Sequence, residues 1–86
     1  MTVTREQLAD EYDPDLLFLD GFDDALIGVS SRFGQPTVAL YDLDKILESL
    51  MAQGMSHEEA EEYFSFNIIG AWVGEMTPAF ATIPKP

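Results

Sequence analysis

The sequence predicts an α+β domain, with a small antiparallel sheet packed against two helices and a short helix at the N-terminus. Two stretches rich in β-forming residues, separated by turn residues, indicate a hairpin over about 25–41. Downstream, two apolar stripes at helical spacing indicate helices over about 43–53 and 57–70, and a last β-prone stretch over about 77–83 supplies a third strand.

The N-terminal helix is predicted from its capping residues. Thr4 and Gln7 stand three positions apart, as in a capping box, and Val3 and Leu8 are placed for a hydrophobic staple. The helix should end at Asp13, because a residue that precedes proline avoids the helical conformation.

The next segment, residues 14–21, has two interpretations. Asp13 could cap a short helix with Pro14 in its first turn, or the apolar residues 16–19 could form a strand. We favour the helix.

The hairpin is predicted from the runs 25–32 and 37–41, which flank the turn residues 33–36. A helix over 24–33 is the competing interpretation. It is disfavoured because Gly28 and the three residues after it are poor helix formers.

The helix over 43–53 has the clearest signal. Asp42 is placed to cap it, and Gly54 is placed to end it in a left-handed conformation, with Met55 ready for an apolar contact. The apolar positions form a single stripe, made of Leu43, Ile46, Leu47, Leu50 and Met51.

The helix over 57–70 begins with a second capping box, formed by Ser56 and Glu59. Its predicted inner face consists of Ala60, Tyr63, Phe64, Asn67, Ile68 and Ala71. Its outer face consists of Glu58, Glu61, Glu62 and Ser65.

The last strand contains Pro78, which restricts it to a sheet edge or places the proline at its first position. We expect one domain over 1–86, in which residues 1–13 are peripheral and residues 84–86 form a flexible tail.

Composition predicts a folded protein of the cytoplasm. Apolar residues make up 47% of the 86 positions, which is too many for a disordered acidic chain. There are no cysteines, as is typical of reducing compartments, and no apolar run is long enough to span a membrane. We expect no membrane association.

The formal charge of −12 is the feature that points to a partner. A field of this sign repels phosphate backbones and anionic lipids, so direct binding of nucleic acid is not expected and a basic protein surface is the natural complement. The charge is concentrated in two acidic patches, at 10–24 and 58–62. Solubility alone is the competing explanation for this charge.

No catalytic arrangement emerges from the sequence. His57 lies beside glutamates and has no cysteine nearby, so we assign it a structural role. Asp20, Asp23 and Asp24, joined in space by Asp42 and Asp44, are the best candidates for a metal site, but their spacing does not match a calcium loop, and we assign neither a metal nor a cofactor.

A pocket lined by aromatic residues is a further candidate site. A chain this short needs its aromatic residues for the core, so we expect them to be buried instead. The residues concerned are Phe64, Phe66, Trp72 and Phe80.

Four segments together resemble a widespread family of small, uncharacterised proteins encoded by bacteriophages and prophages. They read DGFDDALIGV (20–29), YDLDK (41–45), GMSHEEA (54–60), and FSFN followed by GAWVGEMTP (64–78). The resemblance covers residues 16–83 and implies no activity or site residue. It does imply a phage context, in which small acidic proteins often modulate host machinery, including nucleic-acid-guided defence such as CRISPR.

The sequence therefore predicts a non-enzymatic acidic protein that binds a basic surface of a host protein in the cytoplasm of the host cell. One form of this function is inhibition by nucleic-acid mimicry (a DNA mimic), in which the protein blocks a nucleic-acid-binding or defence complex as an anti-CRISPR-like inhibitor. The predicted contact residues are Asp20, Asp23, Asp24, Glu58, Glu61 and Glu62. One alternative is a metal-dependent, phosphate-directed enzyme that uses Asp20, Asp23, Asp24 and Asp44 as ligands. Another is a homo-oligomeric accessory protein, such as a homodimer, with Trp72, Val73 and Phe80 at its interface.

Overall fold

A computed structural model describes residues 3–69 and 74–84. The described residues form an α+β fold, in which helices pack against a three-stranded sheet of order β1-β2-β3. The predictions that involve Gly70, Ala71, Trp72, Val73 and the end of the tail lie outside the described residues.

Helix α1 spans Arg5–Glu11 and confirms the predicted N-terminal helix. The Thr4 side chain accepts a hydrogen bond from the backbone N–H of Gln7, as the capping pattern predicts. Leu8 is the buried residue of this helix, and it joins α1 to the core.

The prediction of a helix over 14–21 is wrong, and the strand alternative is wrong as well: the segment consists of turns and irregular chain. The reason lies in its hydrogen bonds, because the backbone N–H and C=O of Leu19 bond to side chains and not to the backbone of a helix. The N–H donates to the Tyr41 hydroxyl at 2.8 Å, and the carbonyl accepts from Arg5 Nη2 at 2.7 Å. Both partners are distant in sequence, so local patterns could not reveal them.

The predicted hairpin is confirmed. Strand β1 spans Leu26–Ser30, strand β2 spans Val38–Asp42, and the two pair antiparallel. A bulge lies between Leu26 and Gly28, where the register shifts. Gly28, at this bulge, has a φ of +157°, which still lies within the range that favours glycine. A single turn of 3₁₀ helix, Asp23–Ala25, leads into β1.

The third strand, β3, spans Ala79–Ala81 and pairs parallel to β2, with Leu40 opposite Ala79. The prediction of an entirely antiparallel sheet is therefore wrong at this strand, and the sheet is mixed. A tight turn forces neighbouring strands antiparallel, as in the hairpin, whereas a long connection that contains helices, as between β2 and β3, permits parallel pairing. Pro78 stands just before the strand and is buried.

The helical connection contains α2, Leu43–Ala52, and α3, His57–Tyr63. Asp42 caps α2 by accepting a hydrogen bond from the N–H of Asp44, as predicted. After α2 the chain turns at Gly54, which has a φ of +106° and donates its N–H to the carbonyl of Met51. The predicted helix over 57–70 continues only to Tyr63 as an α-helix, and Phe64–Ile69 form a π-helix.

A single hydrophobic cluster connects the helices to the sheet. Its largest fully buried side chains are Tyr41, Ile46 and Leu50, which come from β2 and α2. Phe80 packs on this cluster from β3, edge-to-face with Phe64 at 4.9 Å between ring centroids. Within residues 3–69 and 74–84, none of the helices has the length and apolar character that a membrane span demands.

Candidate protein-binding surface

The start of α3 fixes which glutamates are free to face a partner. Ser56 and Glu59 form the predicted capping box: Ser56 Oγ accepts from the Glu59 N–H at 3.2 Å, and Glu59 Oε1 accepts from the Ser56 N–H at 2.9 Å. The bond that the Ser56 N–H donates to the carboxylate is the main cause that lowers the pKa of Glu59, and the Ser56 side chain adds to this effect. Glu59 is therefore committed to the helix start.

The other glutamates of α3 lie on its exposed side, as the periodicity predicts. Ala60 is fully buried on the opposite side of the helix. Glu61 Oε1 lies 3.1 Å from Nδ1 of His57, one turn earlier, and both side chains are largely exposed. Glu58 and Glu62 form no ion pair within the described part of the chain. Together with Ser65 and Phe66, the three glutamates line an open groove of 480 Å³.

The π-helix determines which of its own aromatic side chains face the core and which face outward. Phe64 and Ile68 are buried and carry the inner face of α3 into the core. Phe66, two positions from Phe64, points away from the core and is 80% exposed. The prediction that Phe66 is buried is therefore wrong. The prediction that Tyr63 and Asn67 face inward is wrong as well, because Tyr63 is 41% exposed and Asn67 is also exposed.

Phe66 lies between two grooves. One is the acidic groove described above, and the other has a volume of 320 Å³ and is lined by Met55, Glu59, Glu62, Tyr63, Phe66 and Asn67. Glu62 and Phe66 line both grooves. We call the surface formed by Glu58, Glu61, Glu62, Tyr63 and Phe66 the α3 face.

The second predicted acidic cluster has a different environment, because a cation is built into it. Arg5 Nε donates to Asp23 Oδ1 at 2.8 Å, and Arg5 Nη2 lies 3.6 Å from Asp20 Oδ1. The guanidinium also stands over the Phe18 ring, 5.5 Å from its centroid. Asp20 and Asp24 are exposed, but the local positive charge of Arg5 reduces the field of the cluster.

The aspartates are not assembled into a metal site. Among residues 3–69 and 74–84, no group of three or more histidine or acidic side chains is placed to hold a metal ion. Asp42 is occupied as the cap of α2, and Asp23 is bound to Arg5. The metal-ligand hypothesis for Asp20, Asp23, Asp24 and Asp44 thus has no geometric support in this part of the chain.

Of the four residues considered for an aromatic pocket, the three that the structure describes do not line one together. Phe64 and Phe80 contact each other within the protein, whereas Phe66 faces outward, and Trp72 lies outside the described residues. Phe80 also packs 6.2 Å from Tyr41, between ring centroids, and lies partly buried against the core.

Sequence reasoning identified the carboxylates of the α3 face but missed its aromatic part. One signal was present: residues two positions apart on a helix point to nearly opposite sides, so Phe64 and Phe66 could not both face the core. The Arg5–Asp23 pair, in contrast, has no local signal, because its partners are separated by 18 positions.

No protein-family model matches the chain, and neither a curated protein nor a solved structure shows significant similarity to it. The resemblance to phage-encoded proteins therefore stays a prediction.

Proposed function

We propose that this protein is a non-enzymatic acidic binding protein whose α3 face occupies a basic surface of another protein. The observation that carries the proposal is the pairing of unneutralised carboxylates with an exposed aromatic ring. Glu58 and Glu62 form no ion pair in the described part of the chain, and they border Phe66, which is 80% exposed.

Charge and apolar area contribute differently to such a contact. The carboxylates accelerate association with a basic partner and set its orientation. An exposed aromatic ring supplies buried apolar area once the partner covers it, and aromatic residues are enriched among the residues that dominate binding energy. Solubility alone would account for the glutamates; the α3 face adds to them an exposed ring that lines the same groove.

The α3 face is the better candidate of the two acidic patches. In the Asp20–Asp24 cluster, Arg5 already supplies the cation that a partner would bring. A partner that bound there would have to compete with this internal ion pair. We therefore assign Asp20, Asp23 and Asp24 a secondary role, in which they extend the negative field around the contact.

The proposed partner is a host protein with a basic, nucleic-acid-binding groove. Such a groove attracts polyanions by electrostatics and counterion release, and a concentrated acidic face competes by the same means. The formal charge of −12 and the resemblance to phage proteins both support this class of partner, of which anti-CRISPR-like inhibition is one case.

The test compares two charge reversals of equal size. Glu61→Lys/Glu62→Lys changes the α3 face, whereas Asp10→Lys/Glu11→Lys changes exposed positions of α1 by the same net charge. Each protein is immobilised and exposed to a bacterial lysate at low salt, and association rates are then measured with the purified partner.

The proposal expects that the α3 variant loses the partner mainly through slower association, that the α1 variant retains it, and that binding weakens steeply with salt. Equal loss in both variants would indicate that only total charge matters. Binding that does not change with salt would overturn the proposal.

A further inference from the structure

Phe66 and Glu62 form a ridge between two grooves, with the Tyr63 ring on one side. A side chain that enters either groove therefore meets a carboxylate and an aromatic ring together. This combination discriminates between cations in a way that a carboxylate alone does not.

Arginine is suited to such a site. Its planar guanidinium can lie against an aromatic ring and at the same time donate parallel hydrogen bonds to a carboxylate. The lysine ammonium is a compact, strongly hydrated charge that loses more solvation against a ring and cannot bind a carboxylate in a fork.

The protein contains the same combination once already. Arg5 stands 5.5 Å over the Phe18 ring while its Nε donates to Asp23 at 2.8 Å. Within this fold, one guanidinium thus contacts a ring and binds a carboxylate at the same time. The ridge presents the ring and the carboxylate, and among the described residues no cation of the protein is paired with Glu62.

We propose that the ridge of Glu62, Tyr63 and Phe66 is a recognition site for an arginine side chain of the basic partner. This inference rests on the proposed function and adds to it the kind of cation that is recognised. The carboxylates attract any basic surface, and the Phe66 ring selects arginine within it.

The experiment uses a short arginine-rich peptide and its lysine counterpart of equal length and charge. Each is titrated into the isotopically labelled protein at low salt, and the NMR signals of the Phe66 and Tyr63 rings and of the Glu62 amide are followed. We expect binding of the arginine peptide to be about two- to fivefold tighter, with the largest shifts at these residues.

Two variants distinguish the effect of the aromatic face of Phe66 from that of its apolar area and from the charge of Glu62. Phe66→Leu keeps an apolar side chain without the aromatic face and should reduce the preference for arginine, because only the forked bonds to Glu62 and the Tyr63 ring remain to favour it. Glu62→Gln should weaken both peptides. Phe66 is 80% exposed, so its replacement by leucine does not threaten the fold, and circular dichroism checks this.

The outcomes distinguish the two proposals. Equal, salt-sensitive binding of both peptides, or a preference for arginine that Phe66→Leu retains in full, overturns the arginine site and leaves the acidic binding function standing. Absence of binding by either peptide at low salt counts against both.

Discussion

The hydroxyl of Tyr41, on the central strand, accepts a hydrogen bond of 2.8 Å from the backbone N–H of Leu19. Tyr41 is fully buried, and burial raises the pKa of its phenol above the ordinary value of 10.0. This one bond ties the irregular segment before β1 to the sheet.

Replacement of Tyr41 by phenylalanine leaves the Leu19 N–H without its partner. We expect the free energy of unfolding to fall by about 1 kcal/mol, the usual net contribution of one hydrogen bond, because this bond is only part-buried. Urea denaturation measures the loss. Tyr63→Phe is the matched control, because Tyr63 is 41% exposed, and it should change stability by less than about 0.5 kcal/mol.

The raised pKa of Tyr41 leads us to expect that the protein loses stability at alkaline pH. The folded-state pKa of Tyr41 is raised, so the neutral phenol contributes its full stabilisation of the fold below pH 10.0. This stabilisation is lost as the pH rises through the folded-state pKa. Unfolding free energies of the wild type and of Tyr41→Phe, measured at increasing pH, should therefore converge above pH 10.0. A constant difference between the two proteins would contradict this.

Arg5 anchors α1 through two bonds, to Asp23 at 2.8 Å and to the Leu19 carbonyl at 2.7 Å. We expect Arg5→Gln to lower the unfolding free energy by about 1–2 kcal/mol, and Arg5→Lys to recover only part of this because an ammonium cannot reproduce the forked geometry. Arg32→Gln is the control, since Arg32 is exposed and unpaired in the described part of the chain. Thermal unfolding followed by circular dichroism gives the comparison.

Gly54 adopts a φ of +106°, and nothing lies within 4 Å of where its Cβ would be. A substitution there is therefore opposed by backbone strain and not by a clash. Gly54→Ala should cost about 1–2 kcal/mol, and Gly54→Asn less, because asparagine tolerates the left-handed region better. Equal stabilities for the two variants would show that strain is not the cause.

The capping box predicts an acid-dependent contribution from Glu59. The folded-state pKa of Glu59 lies below the ordinary value of 4.5, so the ionised carboxylate stabilises the fold above pH 4.5. This stabilisation is lost as the pH falls through the folded-state pKa. Glu59→Gln should be less stable than the wild type at neutral pH and should match it in strong acid. Glu58→Gln, which changes the same charge outside the capping box, should show a smaller pH dependence.

Much of the fold follows from local sequence, because the signals involve residues a few positions apart. The bonds of Thr4, Asp42 and Ser56 each close within three residues, and the Gly54 turn needs only its own backbone freedom. The hairpin and the buried positions of α2, Ile46, Leu47 and Leu50, are likewise periodic patterns that short-range geometry imposes, whereas Met51, predicted in the same stripe, is 41% exposed.

For the candidate site, the same reasoning placed Glu58, Glu61 and Glu62 on an exposed helix face, and the structure confirms their exposure. It did not anticipate that Arg5 partly neutralises Asp20 and Asp23, or that Phe66 stands among the glutamates. Both patches are rich in carboxylates in the sequence, and their spatial neighbours distinguish them.

By itself, then, the sequence determined the capped helices, the hairpin and the acidic outer face of α3, since each depends on contacts within a few residues. Only the tertiary structure decided the irregular path of 14–21, the parallel pairing of β3 and the outward direction of Phe66. Each of these depends on which distant groups meet: Tyr41 and Arg5 satisfy Leu19, and β3 reaches the open edge of β2 after a long helical connection. Phe64 and Ile68 take the places in the core, which leaves Phe66 on the surface.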